Sequence, residues 1–570
     1  MKFGKLDLDP AHNPGVLDTT TWDPESAWRI FANLDAGFWL GLADLLASGG
    51  PLPAAEGPTF YRQTHHDGCY YLLAGLADGQ RAFLRLGPAQ AAATLGAPAA
   101  ARALPGDLAL AMYPADAAVL DRFFRYVDPT RGPRALGAVP RLGIGTRMTT
   151  LVWPGIWQAM VRGGFAANAI QNSVRELNLL PNLLAGLPPE QNVAFNFGAI
   201  ETGYTGSTFE GLWVAGVLDA LCAAQFPAAG YGADADHIQV KHGAAGLERA
   251  LRLVDASRYY TFYTLDVSDV LDYSALLDTS QAAVDARFER LIPEAGQRQA
   301  LLADYTRPQQ IAGQECQMDT PTVARLVAKY WDALAAVEAL TSHIVGLKDG
   351  ARFDLELSID EHPGEVATFA CLTGEQELVF LLREARRRGI PLTHVAPNYG
   401  VEKGVDYACP DGLPGLGQRA ARLGQIAEEY GVMADFHSGD DLSQATRQTI
   451  RQATGGRLHF KVSPMVQLLF GEVLADYHPD LFRRWWEDAR AYARREAAAG
   501  STFAAACLTA GEGSPHDAIF HHFSFAFVGR RNAEGQFLYR EEFYNLSPAF
   551  RAAYAERITQ YVLGLVEDLF

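Results

Sequence analysis

Residues 352–463 constrain the fold most strongly, because this stretch repeats one unit several times. Each unit contains a short apolar run, a polar cluster where the run ends, and a segment with helical periodicity. Buried strands that alternate with helices of this length are typical of βα units on a parallel sheet. In such sheets the chemistry takes place at the carboxyl ends of the strands, where loops from several units meet.

Similar runs occur in the preceding part of the chain and bring the number of predicted strands to eight. Eight strands with intervening helices predict an α/β protein built on a (β/α)₈ TIM-like barrel. The predicted strands are residues 141–147, 165–170, 237–241, 259–265, 353–359, 392–397, 432–436 and 458–462.

This count divides the chain into three predicted parts. Residues 1–138 form an N-terminal α+β region, and residues 139–475 form the barrel that carries the active site. Residues 476–570 form a helical C-terminal extension that packs on the barrel.

Three local patterns complete the predicted fold. In the N-terminal region, residues 69–74 and 81–86 flank an Asp-Gly turn and predict a hairpin. Residues 275–345 are mostly helical in pattern and predict an inserted helical pair. Residues 520–528 form a strand-like run within the C-terminal extension.

The composition argues against several classes of function. A net charge of −18 disfavours non-specific nucleic-acid binding, which needs a basic surface. The six cysteines are scattered without a CxxC motif, which fits a reducing compartment. No apolar run of about eighteen residues and no secretion signal occur, so neither a membrane span nor export is predicted. We therefore expect a cytoplasmic protein, with self-association left open.

The predicted strand ends contain the side chains of a metal site. His437 and His459 come from consecutive strands in the count, and Asp266 and Glu361 close two adjacent strands. Two imidazoles with carboxylates suit divalent Zn, Mn, Fe, Co or Ni. We predict a divalent metal held by these four residues. The alternative is a hydrogen-bonded loop histidine at 437 and a core histidine at 459.

Two lysines are predicted to transfer protons. Lys241 and Lys461 close short apolar strands, so each is expected at the barrel mouth, where partial burial lowers the pKa of an ammonium group. Asp266 is a third catalytic candidate. The alternative for either lysine is a structural ion pair, and a Schiff base is also open to a buried lysine.

Other polar residues are predicted to hold the substrate. One of Asp440 and Asp441 is expected to cap the following helix, while the other, assigned as Asp441, faces the pocket. Arg147 can clamp an anionic group, and its alternative is an ion pair within the barrel. Lys403 follows a turn after a strand, and its alternative is a solvated loop lysine. No P-loop or GxSxG motif occurs, which disfavours nucleotide binding and serine hydrolysis.

The order of these strand ends resembles the tagaturonate epimerase family. Members of that family interconvert D-tagaturonate and D-fructuronate, and some act on ketohexoses at C4. The motifs that carry the resemblance are GIGTR at 143–147, QNSVREL at 171–177, GADADH at 232–237, YTLDVSD at 263–269, SIDE at 358–361, EKGVDY at 402–407, HSGDD at 437–441, HFK at 459–461 and LYREE at 538–542.

The chain departs from the family pattern near several of these motifs. Thr146 stands where the family has an acidic residue, Ile156 where it has a histidine, and residues 462–465 replace a run of small residues. From the same motifs, Gln171 and His237 are assigned to substrate binding.

The resemblance implies a metal-dependent epimerase that inverts C4 of a ketohexuronate or a ketohexose through a metal-stabilised enediolate. The enediolate forms either by retro-aldol cleavage between C3 and C4 or by stepwise migration of the carbonyl, with Lys241 or Lys461 as the proton shuttle. One alternative is a metal-dependent aldose–ketose isomerase or a class II-like aldolase. An alternative of another class, indicated by the departures, is a catalytically silent sugar-binding paralogue.

Overall fold

The computed structural model describes residues 2–9, 12–16, 23–52, 57–147, 149–194, 198–223, 225–274, 280–361, 367–510 and 513–570. Its centre is a closed barrel in which each strand pairs with the next in chain order and the last pairs with the first. All pairs in the barrel are parallel, which confirms the (β/α)₈ prediction. Barrel strands one to eight are Arg141–Gly145, Ala166–Ser173, Tyr231–Gln239, Phe262–Asp266, Asp354–Ser358, His394–Ala396, Met433–Phe436 and His459–Val462.

Two predicted strand positions were wrong, and both errors bear on the site. Strand three begins at Tyr231, so Asp234 and Asp236 lie inside the strand rather than before its amino end. His459 is the first residue of strand eight, and it therefore lies at the amino end, below Lys461. Alternate residues of a barrel strand face the interior, so both aspartates and both strand-eight residues reach the inside of the barrel.

Helices surround the barrel and follow most of its strands. The C-terminal helix Pro548–Leu569 packs closely on the helix after strand one, where Thr559 Oγ1 donates to the Gly155 carbonyl at 3.1 Å. A Cβ atom at Gly155 would lie 2.5 Å from the Ala555 carbonyl oxygen, so only glycine permits this approach. The helices around the barrel are Trp153–Gly163, Phe209–Cys222, Gly243–Ala256, Thr320–Lys348, Glu375–Arg387, Gly412–Glu429, Gln444–Thr454, Pro464–Tyr477 and Pro548–Leu569.

The N-terminal region is a five-stranded antiparallel sheet with helices Pro24–Asn33, Ala36–Ala47 and Ala117–Tyr126. The predicted hairpin is confirmed, because the second and third strands of this sheet pair antiparallel around the Asp-Gly turn. One face of the sheet packs on the first two helices, and the other face joins the core of the barrel. The strands are Thr59–His66, Cys69–Gly75, Arg81–Pro88, Ala100–Ala103 and Leu108–Pro114. The predicted domain boundaries at 138 and 475 stay predictions.

The inserted region after strand four is helical, with Gln281–Leu291 and Ala295–Tyr305 before the long helix Thr320–Lys348. Residues 275–279, the start of the predicted insertion, lie outside the described residues. The remaining short elements are the strands Lys2–Phe3, Leu6–Asp7, Leu177–Asn178, Gln191–Ala194, Gly198–Glu201, Ser207–Thr208, Gln309–Ile311 and Gln314–Cys316 and the helix Leu180–Leu184.

The C-terminal extension is helical, as predicted, but the strand expected at residues 520–528 was wrong. That segment begins with the helix Ala518–Phe523, because Phe520 and Phe523 recur at a helical spacing and are both fully buried. The other helices of the extension are Pro479–Ala498, Thr502–Cys507 and Arg540–Tyr544.

Within the described residues, no single helix is long and apolar enough to cross a membrane. One bent pair, Pro24–Asn33 with Ala36–Ala47, meets the length and composition requirement when its two helices are taken together.

A buried ion pair closes the amino end of the barrel. Arg141 of strand one donates to Asp354 Oδ2 of strand five at 3.0 Å, and both side chains are almost fully buried. Asp354 also accepts from the backbone nitrogens of Leu136 and Gly137, each at 2.9 Å. The pair therefore links the barrel to the segment that enters it.

Candidate active site

A cavity opens at the carboxyl ends of the barrel strands, where the sequence predicts the active site. Seven of the predicted site residues line it: Arg147, Gln171, His237, Lys403, His437, Asp441 and Lys461. Residues of two other segments complete the wall, namely Ile200, Glu201, Thr202 and Tyr204 from the excursion after strand two and His521, His522 and Phe525 from the C-terminal extension.

A bulge in strand three brings two adjacent side chains into the cavity. The pairing register with strand four shifts between Ala235 and Ile238, and His237 has a left-handed φ of 50°. On a regular strand adjacent residues point to opposite faces, so this irregularity lets both Asp236 and His237 line the cavity. A left-handed conformation is costly for a residue other than glycine, and such residues cluster at functional sites.

His237, Asp266 and Glu361 form the group that we call the upper group. Each offers a nitrogen or oxygen ligand atom, and these atoms lie within 4.8 Å of one another. His237 Nδ1 lies 3.3 Å from Asp266 Oδ2, and both atoms are buried without a hydrogen bond in the described part of the chain. Buried polar atoms without partners are costly, so two of them facing each other fit a missing ligand. One imidazole and two carboxylates suit Zn, Mn, Fe, Co or Ni.

Glu361 is fixed as an ionised carboxylate beside the cavity. Lys403 Nζ donates to Glu361 Oε1 at 3.0 Å, and Arg175 Nη2 donates to the same atom at 3.4 Å. The charge of Lys403, aided by that of Arg175, outweighs burial and holds the pKa of Glu361 well below its usual range. A charged oxygen ligand is therefore available at neutral pH.

Lys461 lies deeper, at the floor of the cavity. The sequence predicted a lowered pKa for this lysine, and that prediction was wrong. Burial favours the neutral amine, but four carboxylates outweigh it and raise the pKa of Lys461 well above its usual value. Its Nζ lies 3.0 Å from Asp236 Oδ1, 3.0 Å from Glu356 Oε2, 3.2 Å from Asp234 Oδ2 and 3.7 Å from Asp435 Oδ2.

Glu356, Asp435 and His459 form a second group of ligand-type atoms within 4.8 Å of one another, and all three residues are buried. His459 Nδ1 lies 2.7 Å from Asp435 Oδ2, but burial outweighs that carboxylate and lowers the pKa of His459 to about 4. The ammonium of Lys461 already balances the carboxylates of this group. Both groups contain buried atoms without hydrogen bonds to described residues. A divalent cation fits the upper group better, because no described ammonium or guanidinium pairs with His237 or Asp266, and Lys403 and Arg175 contact Glu361 at Oε1.

His437 lies between the two groups. Its Nε2 is 2.8 Å from Glu356 Oε1, its Nδ1 is 3.1 Å from Asp360 Oδ2, and its ring centroid is 4.9 Å from that of His237. Burial favours the neutral ring, but the Asp360 carboxylate outweighs it and raises the pKa of His437 well above its usual value. By distance, the structure divides the four predicted ligands, with Asp266 and Glu361 in the upper group, His459 in the second group and His437 between them.

A model of the tagaturonate epimerase family matches residues 215–501, which are 287 of the 570 residues. The chain belongs to the tagaturonate epimerase family. The matched segment contains all three residues of the upper group and both His437 and Lys461. Membership places the protein among epimerases, which are isomerase-class enzymes.

Solved structures of a fructuronate-tagaturonate epimerase have the same fold as this chain. The native crystal structure of fructuronate-tagaturonate epimerase UxaE from Cohnella laeviribosi aligns with a TM-score of 0.65 at 19% sequence identity, covering 93% of this chain and 99% of that chain. A complex of that protein with two glycerols aligns with a TM-score of 0.64 at the same identity and coverage. No curated protein sequence matches the chain.

Two predictions about side chains were wrong: Lys241 does not face the cavity, and neither Asp440 nor Asp441 caps a helix. Lys241 lies two residues beyond the end of strand three, pairs with Asp269, and is not among the described residues that line the cavity. Its side chain is 38% exposed, so the surface ion pair that the sequence left open is the one observed. Neither Asp440 nor Asp441 caps the next helix, because Ser443 accepts from the Thr446 nitrogen there.

The two aspartates instead organise the wall of the cavity. Asp440 accepts from the backbone nitrogens of Ser463 and Met465, and burial raises the pKa of Asp440 to about 6 despite these hydrogen bonds. Asp441 accepts from the Gly404 nitrogen at 2.7 Å and lies 3.2 Å from His521 Nε2.

Arg147 is held in the cavity wall by neighbours that the sequence did not single out. Its Nη1 donates to Glu176 Oε1 at 2.6 Å and to the Tyr204 hydroxyl at 3.3 Å, and its Nε donates to Gln467 Oε1 at 3.2 Å. Gln171 lies in the neighbouring strand two, with Nε2 at 3.5 Å from Asp236 Oδ2 of strand three. The Oε1 atom of Gln171 is buried with no hydrogen bond to any described residue.

Sequence reasoning missed the carboxylates inside the strands. Asp236, Glu356 and Asp435 all contact Lys461, yet each lies within a barrel strand rather than at its end. A usable signal was present in strand three, where the two aspartates alternate with alanines at the period of a strand.

Proposed function

We propose that this member of the tagaturonate epimerase family is a divalent-metal-dependent epimerase that inverts C4 of a ketohexuronate or a ketohexose. The substrate pairs are D-tagaturonate with D-fructuronate and D-tagatose with D-fructose. The observation that carries the proposal is the upper group beside the cavity at the barrel mouth, in which His237 Nδ1 and Asp266 Oδ2 are buried without a hydrogen bond to any described residue and the Glu361 carboxylate lies within reach of both. The match of the family model to this part of the chain supports the reaction class.

His237, Asp266 and Glu361 would hold the metal, which is Zn, Mn, Ni, Co or Fe. When bound, such an ion supplies a Lewis acid that polarises a sugar carbonyl or hydroxyl. Lys403 and Arg175 orient Glu361 by donating to its Oε1 atom, so they act on the ligand rather than on the sugar.

The chemistry has to reach a carbon that carries no acidic hydrogen, because C4 is not adjacent to the ketose carbonyl. In the retro-aldol route, the C4 hydroxyl loses its proton, the C3–C4 bond breaks, and its electron pair moves towards the carbonyl. The resulting aldehyde turns over, and the bond forms again on its other face with return of the proton. In the alternative route, proton transfers move the carbonyl until C4 becomes adjacent to it.

Three residues of the cavity can serve either route. Lys461 holds a fixed positive charge, because its raised pKa prevents loss of the proton, and it stabilises negative charge on a sugar oxygen. His437, an imidazolium held between Asp360 Oδ2 at 3.1 Å and Glu356 Oε1 at 2.8 Å, adds a second positive charge, while the ionised Asp236 carboxylate in the cavity accepts the C4 hydroxyl proton and returns it. Lys241 has no role in this scheme.

Three residues are proposed to bind the sugar. Gln171 offers a buried acceptor oxygen that no described residue hydrogen-bonds, which suits a sugar hydroxyl. Arg147 lines the cavity and offers a guanidinium for an anionic group, although Glu176 already shares its Nη1 atom. Asp236, fixed by Lys461 at 3.0 Å, presents a carboxylate beside them.

NMR of the purified protein with the four sugars tests the proposal. Each sugar is incubated with Mn²⁺, Ni²⁺ or Zn²⁺ and again with EDTA. We expect the C4 epimer of at least one sugar to appear only with metal, and to disappear in Asp266→Asn but not in the exposed control Lys241→Met. An aldose or a triose as product would replace the proposal by the isomerase or aldolase alternative. Binding without turnover of any sugar would favour the silent paralogue.

The cytoplasmic location and the possible homo-oligomer remain proposals. Cys69, Cys371 and Cys507 are buried free thiols, which is compatible with a reducing compartment. Size-exclusion chromatography with light scattering measures the oligomeric state directly.

A further inference from the structure

The helix Ala518–Phe523 is held firmly over the mouth of the barrel. Its Phe520 is fully buried, with its ring centroid 4.6 Å from that of Trp485 and 5.2 Å from that of Phe482. The same ring packs on the helix that follows strand eight, where a Cβ atom at Gly471 would lie 2.5 Å from it. Close packing of this kind fixes the helix with respect to the barrel.

Because Phe520 is fixed in this way, the next residue, His521, lies at the cavity. Its Nε2 atom lies 3.2 Å from Asp441 Oδ1, and its side chain is 23% exposed. Its ring stacks on that of His522 with centroids 4.4 Å apart. Both histidines line the cavity. His521 is thus accessible from the cavity and is oriented by two neighbours.

Asp441 is itself fixed, so the orientation of His521 does not depend on a mobile partner. Its Oδ2 atom accepts from the Gly404 nitrogen at 2.7 Å. Gly404 follows Lys403, which holds Glu361 of the upper group. One carboxylate therefore joins the loops after strands six and seven to the C-terminal extension.

Asp441 and His521 lie on the side of the cavity opposite His237. In a closed barrel of eight strands, strand seven faces strand three across the axis. Asp441 follows strand seven, whereas His237 lies in strand three. A sugar that contacts His237 and fills the cavity therefore extends across the axis towards His521.

We infer that His521, oriented by Asp441, is a substrate-binding residue that hydrogen-bonds a hydroxyl of the sugar at the end remote from His237. Imidazole held by a carboxylate on one nitrogen presents the other for such a contact. Asp441 acts through His521 and is a positioning residue. The C-terminal extension is then part of the active site and not only a packing element. This inference rests on the proposed function for the identity of the sugar.

The test compares His521→Ala and His521→Gln with His516→Gln in the metal-loaded full-length protein. His516 is a matched control, because it belongs to the same segment and its side chain is 75% exposed. KM and kcat are measured with the sugar that the wild type epimerises, and Kd is measured for D-tagaturonate and D-fructose by saturation-transfer NMR. Metal content and circular dichroism are recorded for every variant.

Loss of one hydrogen bond predicts a rise of about tenfold in KM and Kd for His521→Ala. His521→Gln retains a donor and an acceptor and should recover part of that loss, while His516→Gln stays within about twofold of wild type. Unchanged KM and Kd in a folded, metal-loaded His521→Ala would overturn the inference, and so would a fall in kcat alone. If the wild type binds sugar without turnover, the proposed function fails, but the Kd comparison still decides the role of His521.

Discussion

Replacing Lys461 with methionine tests the charge arrangement at the floor of the cavity. The substitution keeps the length and apolar stem of the side chain but removes the ammonium. Asp236, Glu356, Asp234 and Asp435 all lie within 3.7 Å of Nζ. The variant therefore leaves several buried acidic groups without their cation.

The magnitude follows from which of these groups are ionised. Burial keeps the pKa of Glu356 well above its usual value, and it raises the pKa of Asp234 to about 6. For Asp435 and Asp236, burial is outweighed by positive neighbours, which hold the pKa of each below its usual range. At least two buried carboxylates thus lose their partner, and removing one member of a buried pair costs about 3–5 kcal/mol of the free energy of unfolding.

The sign of the pH dependence of stability follows from the directions of these pKa shifts. The raised pKa of Lys461 gives a stabilisation that is present below about pH 10, the ordinary lysine pKa, and is lost as pH rises through the folded value. The lowered pKa values of Asp236 and Asp435 give a stabilisation that is present above about pH 4 and is lost as pH falls through their folded values. Without the ammonium the carboxylates protonate more readily in the folded protein. The variant should therefore lose most stability near pH 7 and regain part of it near pH 5.

Urea unfolding at pH 7 and pH 5 measures this effect, with Lys329→Met as the matched control. Lys329 is equally buried, but it has a single carboxylate partner, Glu377, at 2.5 Å. We expect a larger pH dependence for Lys461→Met than for the control. A Lys461→Met protein as stable as wild type at pH 7, or one that loses further stability near pH 5, would refute the charge arrangement.

Three further predictions follow from the same structure. Gly143→Ala would place a Cβ atom 2.3 Å from Gln171 Oε1 and 2.8 Å from Lys461 Cγ, so we expect the displacement of these two side chains to raise KM for the sugar by about tenfold or more in steady-state assays. An unchanged KM would mean that their positions do not matter for sugar binding. Asp354→Asn leaves the buried Arg141 without its ionised partner, so urea unfolding should show a loss of about 3–5 kcal/mol, and a loss below about 1 kcal/mol would contradict this pairing. Lys241→Met should leave kcat and KM unchanged in the same assay, since Lys241 pairs with Asp269 away from the cavity, and a large fall in kcat would restore its predicted catalytic role.

The barrel could be predicted from the sequence because its strands are short apolar runs at regular intervals. Strand three shows where this reasoning stops. Its sequence, YGADADHIQ, contains few large apolar residues, so its polar first half resembles a loop and only its last residues resemble a strand. The interior of the barrel tolerates these aspartates because Lys461 from strand eight balances their charge, and that pairing joins residues far apart in the chain.

The candidate site was predictable only in part, because some of its residues are positioned by contacts with distant parts of the chain. Asp266 follows directly from its place at a strand end, and Glu361 lies just beyond one. The position of the His237 side chain depends on a bulge and a left-handed backbone, which no sequence pattern predicts. His521 is placed by the packing of Phe520 on distant helices, which local periodicity does not contain.

The most direct test of the account is a metal titration in which bound metal and C4 epimerisation are measured on the same samples. Metal-free wild type and His237→Gln are titrated with Mn²⁺, bound metal is measured by atomic emission, and product is measured by NMR. The account predicts that wild-type activity rises in proportion to bound metal up to a single ion per chain, and that His237→Gln loses both. Full epimerase activity in protein without bound metal, or tight metal binding with full activity in His237→Gln, would contradict it.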